Sequence, residues 1–468
     1  LIFLPIVFII YFTLNKFKLC KISRVFLLLA SLYFYGTYKK EYVTIILISI
    51  LFNYFISYLF KTDIKKAKRK LLLFLSIAAN ILILIYFKYF DFLKETLSNI
   101  TFIPFDTFNI IMPLGISFFT MQQISFLVDC YKKDVIEYNL LDYALFICFF
   151  PQLVSGPIIR HQEMIPQFMD IKNKVINQDN IFIGIFLITI GLLKKTVFSD
   201  GFSGFITYIV NNEIYNDLGI SWFLGIAKIF QGYFDFSGYC DIALGSAFLF
   251  NINLPWNFNS PYQAQSIADY WNRWNMTLMR FFKDYIFIPL GGGSKGLLRY
   301  CINVMVVFFI YGCWQYINLV NILYGIINGI LICINKIWEK TKIKIPKPIS
   351  ITLTFITLIL LSTFIMTKDL SQSITLLKTM FNINAEHSGI MFINCNLAFI
   401  LQPPHNAQIN ILLLLASFVI LLFGKNSNEL AQIYIKSNNN LYTIILVFAF
   451  IFATLSITKS TDFLYFVF

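Results

Sequence analysis

The sequence predicts an all-α polytopic membrane protein, with about 11–13 transmembrane and re-entrant helices around a central polar funnel. Three observations predict this class. Apolar residues make up 58% of the 468 residues, against roughly 45–50% in soluble domains. Charged residues make up 13%, about half of the usual share of roughly 25%. Apolar runs close to the ~20 residues that a helix needs to cross a bilayer recur along the chain.

Charge and cysteine usage exclude several other classes. The 37 basic and 24 acidic residues give a net charge of +13, which we attribute to lysines that anchor cytoplasmic loops against anionic lipid. Membrane lipid is therefore an expected partner, and nucleic acid is not. The apolar excess excludes intrinsic disorder. The eight cysteines contain no Cys-x-x-Cys pair, so we expect small buried hydrophobes rather than disulfides, and no metal site.

The chain is expected to form one domain of successive spans. Residues 1–12 are apolar from the first position and lack a basic leader, which favours a first span over a removed signal peptide. Predicted spans lie near residues 1–15, 25–38, 42–60, 71–90, 110–130, 140–158, 181–199, 219–250, 301–335 (two spans), 349–367, 390–402, 408–424 and 440–457. The single domain 1–468 comprises N-terminal spans 1–110, a motif-bearing core 111–335 and C-terminal spans 336–468.

Basic residues in the loops predict the orientation. The first four loops carry four, two, six and one basic residues, and this alternation is what the positive-inside rule requires. Loops one and three, which contain Arg24 and Arg69, are therefore expected on the cytoplasmic side. The amino terminus is then extracytoplasmic. Further lysines between Lys336 and Lys347 mark another cytoplasmic loop.

Ionisable residues concentrate between residues 233 and 296. Such groups are costly at membrane depth, so they normally line an internal cavity and mark function. Pro255, Pro261 and Pro289 break helices here, and non-helical backbone at this depth must be buried in protein or line water. The ionisable residues are Asp235, Asp241, Asp269, Arg273, Arg280, Lys283 and Asp284.

Several motifs together resemble the membrane-bound O-acyltransferase family over essentially the whole chain. They are PLGISFFTMQQISFLVD at 113–129, FFPQLVSGPIIR at 149–160, GYFDFSGYCDIALG at 232–245, and LPWNFNSPY, SIADYWNRWN and FFKDYIFIPLGGGSKG between 254 and 296. The resemblance is strongest to the bacterial branch that acetylates exported polysaccharides, which includes alginate-type and peptidoglycan-type O-acetyltransferases.

The resemblance implies a fold, a reaction and a set of site residues. The fold is a helical bundle around a polar funnel in the bacterial cytoplasmic membrane. The reaction moves an acyl group from a cytoplasmic donor, such as acetyl-CoA or an acyl carrier, to a hydroxyl of an extracytoplasmic partner protein or glycan. No bound cofactor is expected. The implied funnel residues are Arg160, Asp235, Asp241, Trp271, Arg273, Trp274, Asn275, Asp284 and Trp314.

The chain departs from the family pattern at three histidine positions. The family's Trp-His-Ile-Ser-Leu is Trp-Asn-Met-Thr-Leu here, with Asn275 in place of histidine. The catalytic Gly-x-Trp-His-Gly is Gly-Cys-Trp-Gln-Tyr, with Gln315 in place of the catalytic histidine. Thirteen residues later, Asn328 replaces the histidine of a second His-Gly.

Glutamine changes the chemistry available at position 315. In the family, the histidine there is thought to act as general base on the acceptor hydroxyl. Neutral imidazole can accept a proton near pH 7, because its pKa is about 6.5. A glutamine amide donates and accepts hydrogen bonds but has no accessible protonation step. Loss of a general base typically removes ~10²–10⁴-fold in rate, so we expect little or no acyl transfer from the chain in its present form.

Other groups are weaker candidates for the base. His161 follows the Gly-Pro break, but a histidine at a span end is more often an interfacial polar residue. His387 and His405 lie in polar, loop-like stretches and are expected to be solvated. Asp235 and Asp241 would need pKa values raised by desolvation. The simpler expectation is a buried carboxylate that is satisfied by Arg273, Arg280 or tyrosine hydroxyls.

Two further patterns carry less specific expectations. Trp271 and Trp274 lie three residues apart on one helical face, where they either pack or line the funnel. The glycines of residues 291–296 lack the Lys-Ser/Thr ending of a phosphate-binding loop, so a flexible surface loop is expected.

Three classes of function stay open. An O-acyltransferase explains the motif set. A catalytically inactive membrane protein on the same scaffold explains the three amides. A transporter or channel explains the buried charges but not the order of the motifs. Within the family, D-alanyl transfer to a cell-wall polymer is a further alternative, although the length and the aromatic carboxy terminus favour the polysaccharide-acetylating branch.

Overall fold

The computed structural model is all-helical over the residues that it describes, which confirms the predicted fold class. The described residues are 2–62, 65–101, 112–132, 138–211, 218–315, 317–367, 369–381, 407–436 and 440–459. The span predicted near 390–402, His387, His405 and the aromatic carboxy terminus lie outside them.

Nineteen α-helices have bounds within the described residues. In chain order they are α1 (Phe3–Lys16), α2 (Cys20–Gly36), α3 (Lys40–Leu59), α4 (Lys66–Thr101), α5 (Ile116–Lys132), α6 (Leu140–Cys148), α7 (His161–Met169), α8 (Gln178–Leu193), α9 (Asp200–Asn211), α10 (Leu218–Leu249), α11 (Ile267–Trp271), α12 (Met276–Phe282), α13 (Leu297–Gln315), α14 (Leu319–Thr341), α15 (Lys347–Met366), α16 (Leu370–Met380), α17 (Ala407–Phe423), α18 (Ser427–Lys436) and α19 (Asn440–Leu455). Wider π-helical turns follow α8, at Lys194–Ser199, and α12, at Lys283–Phe287.

The chain divides into two compact units. The first contains Leu1–Ile188 and Ile242–Pro255, and the second contains Thr189–Asp241 and Trp256–Phe468. Helices α8 and α10 contribute residues to both units. The motifs around Gly115 and Arg160 therefore belong to the first unit, and those that contain Asn275 and Gln315 belong to the second.

Several helices are suited to crossing a membrane, so the prediction of a multi-pass membrane protein is confirmed. Two of them, α13 and α14, divide the apolar run 301–335 as predicted. Within the described part of the chain, six segments are long and apolar enough: Lys40–Leu59, Lys66–Phe90, Gln178–Thr207, Leu297–Gln315, Leu319–Thr341 and Lys347–Met366. The pair Leu412–Phe423 and Ser427–Lys436, bent by 76°, makes a seventh if it is one span.

Buried amides join three helices of the first unit. On α3, Ser49 Oγ and Asn53 Nδ2 donate to Oε1 of Gln123 on α5, at 2.6 and 2.8 Å. Asn53 also exchanges hydrogen bonds with Asn80 on α4, at 3.1 and 2.8 Å. All four side chains are buried. Because lipid gives apolar helices no hydrophobic reason to associate, such bonds help to fix the packing of α3, α4 and α5.

A glycine brings two of the motif segments of the first unit together. Gly115 has a φ of 72°, and a Cβ atom there would lie 2.5 Å from the carbonyl oxygen of Leu153. Only glycine fits this backbone conformation and this approach. The hydroxyl of Tyr35 on α2 donates to the carbonyl of Leu114 at 2.8 Å, which holds the same turn from the other side.

Candidate functional site

Close packing of α13 and α14 positions Gln315 and Asn328. A Cβ atom at Gly325 would lie 2.3 Å from the carbonyl oxygen of Phe308, and one at Gly312 would lie 2.6 Å from that of Asn321. Glycine at both positions therefore lets the two helix backbones touch. Gln315 is the last residue of α13, and Asn328 lies in the middle of α14.

The amide of Asn328 is fully buried and has hydrogen bonds at both ends. Its Oδ1 accepts from the indole Nε1 of Trp271 at 2.9 Å, and its Nδ2 donates to the carbonyl of Tyr324 at 2.8 Å. Trp271 is itself buried and packs edge-on against the ring of Tyr311, with centroids 4.8 Å apart. Asn328 thus orients an aromatic side chain of the site and is not open to a substrate.

Gln315 lines a cavity of about 100 Å³ in the second unit, which we call the Gln315 cavity. Its Nε2 donates to the hydroxyl of Tyr311 at 2.8 Å. A cavity needs about 10–15 Å³ of such space to hold one water, so this one has room for several waters or for an acyl group of a few atoms. The other polar and aromatic side chains that line it are Lys228, Tyr262, Tyr270, Trp274, Tyr311, Tyr324 and Ser362.

Tyrosine hydroxyls give this cavity hydrogen-bonding capacity without charge. Tyr262, in the short turn Pro261–Gln263, donates to the carbonyl of Ile229 at 2.6 Å. Burial raises the pKa of the Tyr262 hydroxyl well above its usual value, so this group stays protonated. The Tyr270 ring stacks on Trp274, with centroids 5.6 Å apart. Trp274 therefore lines the cavity while Trp271 packs beside it.

Asn275 is a buried amide next to the cavity wall. It has a left-handed backbone, with φ 45°, and none of its surface is exposed. Within the described part of the chain, neither Oδ1 nor Nδ2 has a hydrogen-bond partner. An unsatisfied buried amide typically costs ~1–3 kcal/mol. The neighbouring backbone is well held, because the Met276 amide donates to the carbonyl of Asn257 at 2.9 Å.

The aspartates of α10 have lysine partners, where Arg273, Arg280 or tyrosine hydroxyls were expected. Lys195 Nζ lies 2.8 Å from Oδ1 of the fully buried Asp235, and Lys194 Nζ lies 2.7 Å from Oδ2 of Asp241. Both lysines are on the π-helical turn after α8, and their pairing neutralises the two carboxylates. Lys194 also borders a second cavity of about 320 Å³, which is mostly apolar.

The remaining charged candidates of the second unit lie nearer the protein surface. Arg273 pairs with Asp269 one helical turn earlier, with Nε and Oδ1 2.8 Å apart, and both side chains are close to one-third exposed. Asp284 is partly buried in the π-helical turn after α12. Trp314 is buried, with its ring centroid 6.1 Å from that of Tyr311. Of the predicted residues, the structure places Gln315 and Trp274 at the wall of the Gln315 cavity.

In the first unit, Arg160 leads into a buried histidine. Arg160 is the residue immediately before α7, which begins at His161. His161 is fully buried, with Nε2 3.1 Å from Oδ2 of Asp129 and Nδ1 3.4 Å from the hydroxyl of Tyr138. Both ring nitrogens thus have protein partners. This geometry favours a structural role over that of a substitute base.

Sequence reasoning missed Lys228 and the lysine pair of the π-helical turn. Lys228 sits within an apolar stretch of α10, and nothing local shows that this turn faces a cavity. Lys194 and Lys195 end an apolar run and look like interfacial anchors. The sequence did contain one signal for the ion pairs: two lysines end one apolar run and two aspartates lie in another, and charges at membrane depth normally pair.

Comparison with known proteins agrees with the motif set. Residues 33–341 match the model of the membrane-bound O-acyltransferase family. The chain is 35% identical to the peptidoglycan O-acetyltransferase of Helicobacter pylori over 509 aligned residues, covering 99% of this chain and 95% of that relative.

Two other relatives are more distant. A probable alginate O-acetylase of Pseudomonas aeruginosa is 29% identical over 343 residues, covering 72% of this chain and 64% of that relative. A teichoic acid D-alanyltransferase of Bacillus subtilis is 29% identical over 250 residues, covering 50% of this chain and 61% of that relative. With a family match over more than half of its length and a relative along nearly all of it, the chain belongs to the membrane-bound O-acyltransferase family.

Proposed function

We propose that this protein is an envelope O-acetyltransferase, which moves an acetyl group to a hydroxyl of peptidoglycan or another exported polysaccharide at a rate limited by Gln315. The Gln315 cavity carries this proposal. Gln315, at the position that the resemblance assigns to the catalytic histidine, lines a space that suits a small acyl group, and the chain is similar along its length to a peptidoglycan O-acetyltransferase.

The lining of the cavity suits an acetyl group. Leu358 and Ile365 of α15 give it an apolar side for a methyl group. The Gln315 amide has a second N–H besides the one that the Tyr311 hydroxyl accepts, and it offers a donor for a carbonyl oxygen. Donors aimed at the oxygen that becomes negative in the transition state are a main source of rate in acyl transfer.

Gln315 limits the rate because an amide cannot take the proton of the attacking hydroxyl. It can still orient the acyl carbonyl or the hydroxyl, since its Nε2 is already held by Tyr311. The frame for transfer is then present without the family's base. We expect acetyl transfer to be slow compared with a variant that carries histidine at this position.

The donor, the acceptor and the orientation complete the proposal. The donor is acetyl-CoA or an acetylated carrier on the cytoplasmic side, and the acceptor is an extracytoplasmic glycan or a partner protein that delivers the group to it. The amino terminus is extracytoplasmic, as the loop charges favour. The basic loop around Arg69 is then close to anionic lipid on the cytoplasmic side.

Removing the gene tests this function. Mild alkali releases ester-linked groups from purified peptidoglycan and from exported polysaccharide, and the acetate released is compared between parent, deletion and complemented cells. The proposal predicts less acetate from one polymer in the deletion strain and recovery with a plasmid copy. Loss of D-alanine instead of acetate would assign the reaction to D-alanyl transfer and contradict acetylation.

A catalytically inactive member of the family is the second candidate, because amides occupy all three histidine positions. It predicts that acetate and D-alanine in every polymer stay unchanged in the deletion strain. It also predicts that histidine at position 315 restores no transfer.

A further inference from the structure

Lys228 alone carries a formal charge among the described residues that line the Gln315 cavity. It lies on α10 and reaches the wall of the cavity. Its Nζ donates to Oε1 of the buried Gln231 at 3.2 Å. Over the described residues, Lys228 has no carboxylate within ion-pair distance. A primary amine that can exchange a proton therefore borders the same space as Gln315.

The other titratable groups around Lys228 do not provide a better base. Asp235, two helical turns further along α10, is held by Lys195 and by the Ser199 hydroxyl at 3.2 Å. Helix α15 contributes only Leu358, Ser362 and Ile365, which do not titrate. The titratable side chains that line the cavity from the other elements are Tyr262, Tyr270, Tyr311 and Tyr324. A tyrosine would have to ionise before it could accept a proton, and burial opposes that ionisation.

We propose that Lys228 is a catalytic residue of this chain, the general base that supports slow acyl transfer in the absence of histidine at position 315. This inference rests on the proposed function. Lysines at sites shielded from water, without a carboxylate partner, are the ones that proteins use as bases.

The step balances with an activated acyl thioester as donor. The unprotonated Nζ of Lys228 takes the proton of the acceptor hydroxyl while the hydroxyl oxygen forms a bond to the acyl carbon. The bond from that carbon to the thiol sulfur then breaks, and the sulfur leaves with the bonding pair. The proton passes from Nζ to the sulfur, so the products are an ester and a free thiol, and Lys228 is regenerated. Gln315 orients the acyl carbonyl through its amide.

Four chains measured side by side test the assignment: the parent, Lys228→Met, Lys228→Arg and Gln315→His. Each is purified in proteoliposomes and given radiolabelled acetyl-CoA with soluble peptidoglycan fragments, across roughly pH 6 to 10. Arginine keeps the positive charge but cannot act as a base, so it separates proton transfer from electrostatics. Lys336→Met is the matched control, because Lys336 is an exposed lysine paired only with Glu339 on its own helix.

The proposal predicts that parental transfer rises with pH as the amine loses its proton. Both Lys228 variants should lose about 10²–10⁴-fold or fall to the protein-free rate, while Lys336→Met keeps the parental rate and profile. Thermal unfolding of both Lys228 variants at the parental temperature shows that a lost rate is not a lost fold.

Three outcomes would overturn the assignment. Parental activity in Lys228→Met shows that the amine is not used, and parental activity in Lys228→Arg shows that only charge is needed. If the parent is inactive while Gln315→His transfers acetyl, Lys228 is not a base in this chain. The cavity then still supports the acetyl transfer of the proposed function once histidine is present. If neither the parent nor Gln315→His transfers acetyl, the proposed function itself fails.

Discussion

Buried ion pairs with lysines determine whether the aspartates of α10 are available as bases. Asp241 accepts from Lys194 Nζ and from the Ser427 hydroxyl, both at 2.7 Å. Asp235 is held by Lys195, which also lies 3.0 Å from Asp200. Each carboxylate therefore already has a cationic partner within the protein. The pairs are therefore structural, and the cavity has to find its base elsewhere.

The pair Lys194–Asp241 should be costly to break from one side. Asp241→Asn or Lys194→Met leaves one charge buried without its partner, and we expect a loss of about 3–5 kcal/mol in the free energy of unfolding. Removing both charges in Lys194→Met/Asp241→Leu should cost clearly less than the sum of the two. Unfolding in mixed detergent micelles, followed by tryptophan fluorescence, measures these differences.

The exposed pair Lys336–Glu339 provides the control for that measurement. Its side chains are 43% and 61% exposed, so breaking it should cost at most about 1 kcal/mol. Equal effects at the two pairs, or additive effects at Lys194 and Asp241, would show that the buried contact does not hold the charges together.

At the scale of elements, two glycines explain how α13 and α14 carry the site. A Cβ atom at Gly312 or Gly325 would lie closer to a backbone oxygen of the partner helix than real Cβ atoms do. The polar residues Gln315 and Asn328 then sit on helices in direct backbone contact. Such approaches are typical of membrane helices, where small residues allow dispersion contacts that larger side chains prevent.

Gly325→Ala should therefore separate these helices. The new methyl group would meet the carbonyl oxygen of Phe308 at 2.3 Å, so the backbone must shift, at an expected cost of about 1–3 kcal/mol. Gly204→Ala on α9 is the matched control, since a Cβ atom there has no neighbour within 4 Å. That substitution should be neutral or slightly stabilising, because alanine favours the helix. Thermal unfolding of both variants tests this, and a stable Gly325→Ala protein would contradict the tight crossing.

The sequence predicted the positions of the membrane helices far better than it predicted which side chains pair. Apolar length predicted α3 and α15 to within a few residues and the presence of two spans in the run 301–335, because a span must be long and apolar whatever it packs against. The π-helical turn 194–199 and the pairing of Lys195 with Asp235 were not predicted. They depend on the tertiary approach of two helices, which single-helix patterns do not contain. The inward turn of Lys228 escaped prediction for the same reason.

At the scale of the whole molecule, loop charge should set the orientation. The positive-inside rule places the first loop in the cytoplasm and the second outside. Lys21→Cys near the first loop should resist a membrane-impermeant maleimide in intact cells, whereas Tyr38→Cys in the second loop should react. Tyr38 is 60% exposed, so the protein itself does not shield this position from the maleimide. The parent chain sets the background from native thiols, and the reverse labelling pattern would invert the topology.

The central claim concerns Gln315, and one rate comparison tests it most directly. Acetyl transfer from acetyl-CoA to peptidoglycan fragments is measured for the purified parent and for Gln315→His at pH 7. An intact cavity that lacks only its usual base predicts that histidine raises the rate by about 10²–10⁴-fold, with a pH profile centred near the imidazole pKa of about 6.5. A parent already as fast as the histidine variant, or a histidine variant that transfers nothing, would contradict it.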